Sequence, residues 1–505
     1  MDERDKSQSG IVFRPVDTIL LAGAFVLGIV FVWLFYGKQP GISIPLFVIA
    51  FYVLLLTYAR PALTKEAGFG WFLSIPILML SLTYFFFGNE ILMVLNILAL
   101  PVLILLQTLL VTGVNSYKWH SPAIIIDLIF GVFFRCTVHI IKPFKIVSRL
   151  LYKKSDENSE KSKSMGIRIL TGLLISVPLV IILLALLSSA DMVFGRLVKM
   201  LPNFFDSINL GNFIGRTFVA LIIFFISFSY IWSVGHGEKY AEGAVCESKP
   251  GTQEQKRRLD PVTIITVTIA VDILYMIFVI IQFAYLFVKS GLPEGLTYAE
   301  YARNGFFELI LVSLLNIGLL ACTLTFTKKG SAGTEIALNI LKTIMIGCTF
   351  VMLFSAHYRM SLYENAYGFT FLRVMTHAFM VFLLVLFVIT LARVWIDRLP
   401  LLKPYIAVAA VAFTVINYIN VDALIAKNNL LRYYNTNVID MNYFWSLSND
   451  AAEELIILAG DKDAVVAAEA DKQLNARKER LMNKRDWQSF NLSDYRARRL
   501  MEKGW

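Results

Sequence analysis

Long apolar runs broken by short polar stretches set the rhythm of this chain. Runs at 17–36, 42–59, 71–87, 91–112, 167–188, 213–234, 262–288, 305–327, 335–357, 371–394 and 404–420 approach the length a bilayer-crossing helix needs, about 20 residues. The pattern predicts eleven spans, of which 42–59, 71–87 and 404–420 are short. The first run is too long for a cleaved leader, and no small-residue cleavage pattern follows it, so it reads as a signal anchor. The stretch 122–145 differs: Asp127, Arg135, His139 and Lys142 interrupt it, which suits a helix lying in the interface or, as the alternative, a twelfth span. Phe194–Phe205 also reads as interfacial.

Polar segments divide the runs. Residues 1–121 form an N-terminal four-span region, and 122–166 hold the interfacial helix and a charged linker. Spans five and six occupy 167–234, a second linker 235–260, a C-terminal span region 261–440 and a tail 441–505. The tail has helical periodicity. Ser448-Asn449-Asp450 opens a helix that Gly460 closes, and a second helix is predicted from Asp463 to Lys484. The fold class expected is all-α: a polytopic helical bundle with a small helical tail on the extracytoplasmic side.

Composition agrees with the pattern. Hydrophobic types make up 57% and charged types 17%, against about 45–50% and 25% in soluble domains. These values exclude a soluble enzyme, a disordered chain and a disulfide scaffold. The net charge of +10 is better explained by cationic cytoplasmic loops than by nucleic acid. With the N-terminus inside, the cytoplasmic segments carry 24 Lys and Arg and the outer loops six. That places the C-terminus outside; the tail from 421 on, with 13 basic and 13 acidic residues, casts no vote. The four cysteines show no paired spacing and read as free thiols.

Three polar segments fall on one side of this threading. The first, Leu292–Leu309, carries Tyr298, Glu300, Tyr301, Arg303 and Glu308, with Thr297 and Glu300 spaced as a capping box. The second, Ala356–Val374, carries His357, Arg359, Glu364, Arg373, Tyr363 and Tyr367, with Gly368 a natural helix stop. The third, Asn417–Asn435, carries Asp422, Lys427 and Arg432. Even numbers of spans separate them, so one vestibule can gather all three. The plainer reading is interfacial tyrosine, surface ion pairing and arginine on lipid phosphate. Asp272, near mid-membrane, is either a proton carrier or a neutral acid hydrogen-bonded to a neighbouring helix. Lys342 is its candidate partner or snorkels to the surface; Asn316, His377 and Gln282 read as helix–helix hydrogen bonders.

No Walker A loop, Gly-x-Gly-x-x-Gly, Gly-x-Ser-x-Gly or His-Glu-x-x-His pattern occurs, so no catalytic residue is assigned. The histidines lack ligand spacing, and neither metal nor cofactor is expected. The expected partners are the lipid bilayer and envelope components or another membrane subunit.

Leu296–Leu309 (LTYAEYARNGFFEL), Tyr358–Arg373 (YRMSLYENAYGFTFLR) and Asn420–Leu430 (NVDALIAKNNL) resemble the hallmark stretches of a bacterial membrane-protein group filed as domains of unknown function, the 4153/4173 group. The resemblance covers roughly 165–440, with Asp486–Ala497 as a further match. It implies a polytopic protein of the bacterial cytoplasmic membrane and brings no activity, substrate or catalytic residue. The function expected is non-enzymatic: a transporter-like or sensory component with an outward-facing polar site. Arginines would contact an anion, glutamates would counter them and tyrosines would wall the site. The alternatives are a membrane enzyme acting on lipid-linked or cell-envelope substrates and a proton-coupled secondary transporter.

Overall fold

Side chains on the outside of this molecule are mostly apolar: Phe25, Val53, Leu98, Ile280, Leu315 and Leu372 are each more than half exposed. That surface suits lipid and explains the shortage of charge. The computed structural model describes residues 14–63, 68–152, 180, 210–237, 259–287 and 306–503, apart from residues 118, 120–122, 329, 398, 484 and 485. The expected span at 167–188, the interfacial Phe194–Phe205 and most of both linkers lie outside the described residues.

Helices α1 (Val16–Phe35), α2 (Ser43–Ala59), α3 (Gly68–Phe72), α4 (Ser74–Phe86) and α5 (Glu90–Thr112) open the chain. A broken segment follows: α6 (Ile124–Ile126), a π turn over Asp127–Gly131, α7 (Val132–Val138) and α8 (Lys142–Tyr152). Then come α9 (Leu210–Gly235), α10 (Pro261–Phe287), α11 (Phe306–Phe326), α12 (Ala332–Tyr367), α13 (Phe371–Trp395) and α14 (Leu402–Tyr418). Among the described residues, nine helical segments are long and apolar enough to cross a membrane, ten if α14 and α15 (Val421–Thr436) form one bent span. The expected span at 42–59 forms as the 17-residue α2.

The segment 122–145 does not turn its charges to water. Asp127 and Arg135 are buried, and Ile125, Ile129, Phe133 and Ile141 face out. Asp127 accepts from the amides of Ser116 and Tyr117 at 2.7 and 3.0 Å, and Arg135 donates to the Val114 carbonyl at 2.9 Å. Lipid reverses the usual polarity: the ionised face must turn inward to find partners. By length and composition residues 124–147 could also span, but Asp127 and Arg135 both bond within residues 114–117 at one end of α5, as a helix lying in the interface would.

Close backbone approach holds α1 against α9. A Cβ on Gly28 would lie 2.4 Å from the Ala220 carbonyl oxygen, and one on Gly215 would meet the Tyr36 hydroxyl. Small residues allow such contact between membrane helices. Gly28→Ala is expected to destabilise the bundle by about 1–3 kcal/mol through overpacking. An unchanged thermal melt in detergent would refute this.

Asn420, in the left-handed region at φ 53°, ends α14. The chain turns by 56°, and α15 leaves the bundle direction to join the tail helices α16 (Met441–Phe444), α17 (Ala452–Ala459), α18 (Ala464–Asn483) and α19 (Leu492–Glu502). The predicted tail helices form where the caps place them, with the Ser448 side chain accepting from the Asp450 amide and Gly460 following α17. Val421, Ile425 and Leu430 of α15 pack with Phe444, Leu455, Leu458 and Leu474 into one core. That core lies on the α1–α2, α4–α5 and α12–α13 connections, all at the same end of the bundle. Ile42 donates its amide to the Phe490 carbonyl at 3.0 Å, and Gly88 to Asp450 Oδ2 at 2.9 Å. The Asn491 side-chain amide donates to the Tyr84 and Phe87 carbonyls at 2.9 and 2.5 Å.

Candidate functional site

Helix α12 has 36 residues, about 54 Å at 1.5 Å per residue. The hydrocarbon core is only about 30 Å thick, so the last turns of α12 project towards the tail. Gly368, at φ 85°, stops the helix. Non-glycine residues rarely adopt that conformation, and a Cβ there would lie 2.8 Å from Asn429 Oδ1.

The second and third polar segments meet at this stop. Asn429 of α15 accepts from the Phe369 amide at 2.7 Å and donates to its carbonyl at 2.9 Å. Arg432 donates to the carbonyls of Asn365, Ala366 and Val438 at 3.0, 2.6 and 3.1 Å. It thus satisfies carbonyls left open by the end of α12. The Phe371 amide donates to the Tyr443 hydroxyl at 2.6 Å. A cleft of about 30 Å³ remains, lined by Tyr367, Gly368, Asn429, Arg432, Asp440 and Tyr443. It has room for about one water.

Beside it runs a chain of titratable groups. Glu364 and His357 lie seven residues apart, two turns along one face of α12. His377 of α13 bridges them: its Nε2 lies 3.0 Å from Glu364 Oε2 and its Nδ1 2.7 Å from His357 Nδ1. Glu364 is buried, with Oε1 lacking a hydrogen-bond partner among the described residues, whereas His357 is exposed. The bonds define an order of protons. With Glu364 ionised, His377 donates through Nε2, accepts through Nδ1, and His357 must donate from Nδ1; this tautomer follows from the network. His357 Nε2 is then an acceptor at the exposed end, and a proton taken there can be relayed inward to the carboxylate.

The remaining expected residues divide. The Arg373 guanidinium lies 4.1 Å from the Tyr363 ring centroid and donates to the Gly368 carbonyl; Tyr363 and Tyr367 rings are 5.1 Å apart. Arg359 donates to Gln282 Oε1 at 3.3 Å, and Ser355 to the same oxygen at 2.7 Å. Asp422 is 3% exposed and turned into the tail, accepting from Asn89 Nδ2 at 2.7 Å and the Ser448 amide at 3.0 Å. Glu308 is exposed on α11. Tyr298, Glu300, Tyr301 and Arg303 lie outside the described residues, as does the Thr297–Glu300 capping box. Sequence reasoning read His377 as a helix–helix hydrogen bonder and missed its place in the chain; the pointer was the two-turn spacing of His357 and Glu364. Among the described residues no group of three His, Cys, Asp or Glu side chains is arranged to hold a metal, and Cys136, Cys322 and Cys348 are free thiols.

No curated protein and no solved structure matches the chain. The family model described as "Domain of unknown function (DUF4153)" matches residues 74–458. That stretch begins at α4, holds the α12–α13 site and ends within α17. Its apolar helices and the meeting of its second and third hallmark segments agree with that match: the chain is an integral, multi-pass membrane protein and belongs to the DUF4153 family.

Proposed function

We propose that this protein is a non-enzymatic, transporter-like or sensory component of the bacterial cytoplasmic membrane, with its polar site on the extracytoplasmic side. The observation that carries this reading is the Glu364–His377–His357 chain, which leads from an exposed imidazole to a buried carboxylate. The excess of Lys and Arg in the opposite loops supports the orientation. Two imidazoles beside Arg359 and Arg373 suit a ligand that presents an anionic group, such as a lipid phosphate or free phosphate. Arg359 and Arg373 add positive charge on the same helix ends.

Inorganic phosphate and phosphatidylglycerol serve as probes, with the full chain in nanodiscs of neutral lipid. A ligand at about 100 times its Kd raises stability by about 2.7 kcal/mol. Stabilisation is expected in the wild type and to be lost in His357→Gln/His377→Gln. Equal stabilisation of wild type and double variant would move the binding elsewhere and end this reading. A response to phosphatidylglycerol but not to phosphate would identify a headgroup site.

The Glu–His pairing also favours a second reading, a membrane enzyme acting on lipid-linked or cell-envelope substrates. Glu364 would orient His377, and His357 would take the substrate proton. A pH-dependent activity lost in Glu364→Gln but kept in Arg359→Lys would select this reading over binding alone.

A further inference from the structure

Asp272 lies apart from the Glu364–His377–His357 chain, and its role is independent of that site. It is eleven residues from the start of α10, about 16 Å along the axis and so near the middle of a core about 30 Å thick. It is 4% exposed, and neither carboxylate oxygen has a hydrogen-bond partner among the described residues. The expected bond to a neighbouring helix is therefore missing. Lys342 does not supply a counter-charge, since the charges acting on it are Glu335, Arg393 and Asp397 towards the other end of the bundle.

Among the described residues, the titratable groups facing Asp272 are Tyr275, one turn along α10, and Cys348 of α12. Around them is a polar layer: Tyr275 donates to Asn316 Oδ1 of α11 at 2.7 Å, and Asn316 Nδ2 donates to Thr349 Oγ1 of α12 at 2.9 Å. Thr268, Asp272, Tyr275 and Gln282 share one stripe of α10. Cys348, Met352, Ser355 and Arg359 share one stripe of α12. Gln282, bonded to Ser355 and Arg359, forms a second polar level nearer the tail end, and buried Met352 separates the two levels.

We propose that Asp272 is a proton-exchange site at mid-membrane, the kind of group through which a proton-coupled carrier or proton sensor works. The carboxyl O–H breaks, its electron pair stays on the carboxylate, and the proton passes to water entering the seam between α10 and α12; the reverse step reloads it. A carboxylate formed there has the Tyr275 hydroxyl one turn away to turn towards it.

The test uses the full chain in lipid nanodiscs and dicyclohexylcarbodiimide, an apolar reagent that attacks protonated carboxyls, with adducts located by peptide mass spectrometry. An adduct at Asp272 is expected, its rate of formation falling about tenfold or more as pH rises from about 5 to about 9. Asp272→Asn abolishes that adduct, and Asp272→Glu keeps it with its pH dependence. Three outcomes overturn the proposal: no adduct at any pH, a rate independent of pH, which marks a permanently neutral structural acid, or protection by sodium chloride over choline chloride at fixed pH, which makes the ligand sodium. The wild-type pH profile decides even if Asp272→Asn fails to fold.

Discussion

Arg477→Met loosens the tail from within. The Arg477 side chain is 6% exposed and donates to four acceptors: the carbonyls of Phe444, Leu447 and Ser448, each at 2.8 Å, and Asn449 Oδ1 at 3.2 Å. Burial pulls its pKa down to about 10, and the Arg480 charge adds to the fall, but it stays cationic at neutral pH. Methionine fills a similar volume but donates nothing: the Phe444 and Ser448 carbonyls keep the Leu447 and Ala451 amides, and the Leu447 carbonyl and Asn449 Oδ1 lose the fork. Each buried acceptor left unsatisfied costs about 1–3 kcal/mol. The tail should then melt before the bundle and become open to limited proteolysis within α18. Arg477→Lys keeps the charge but lacks the planar fork, and should recover only part of the loss. A melt and a cleavage pattern identical to wild type would show that the fork is dispensable.

Asp422→Ala is expected to destabilise by about 2–5 kcal/mol, because two buried donors lose their acceptor and each costs about 1–3 kcal/mol. These are Asn89 Nδ2, at the start of α5, and the Ser448 amide. The variant therefore loosens two junctions at once, α15 to the tail and α15 to the start of α5. Double-mutant cycles with Asn89→Ala should show coupling well above about 0.5 kcal/mol, as residues in direct contact do. Additive effects would mean that the bond contributes nothing. Unaltered stability together with lost phosphate binding would instead return Asp422 to the ligand site.

The apolar runs were legible because a spanning helix repeats one simple demand over about 20 residues, and the tail helices because Ser448 and Gly460 mark their ends locally. Three features resisted for physical reasons. The 122–145 segment carries an ordinary amphipathic pattern, but lipid reverses which face is outside, and the buried partners of Asp127 and Arg135 are backbone groups that no pattern exposes. Asp422 reads in sequence as one of the vestibule's ligand-site residues; its partner Asn89 lies 333 positions away. His377 sits in an apolar run, and only the packing of α13 on α12 brings it between His357 and Glu364.

The tail touches connections made long before it. Gln39, Ile42, Tyr84, Phe87, Gly88 and Phe371 each bond to a side chain or backbone group from 443 onward. On a ribosome, the first of these loops emerges about 450 residues before its partners and must wait with its polar groups in water or the headgroup layer. Assembly at this end of the molecule therefore closes last, like a clasp. A translation product that stops before Phe490 lacks these contacts, so the α1–α2 and α4–α5 connections of an unfinished chain keep polar groups that the finished chain pairs.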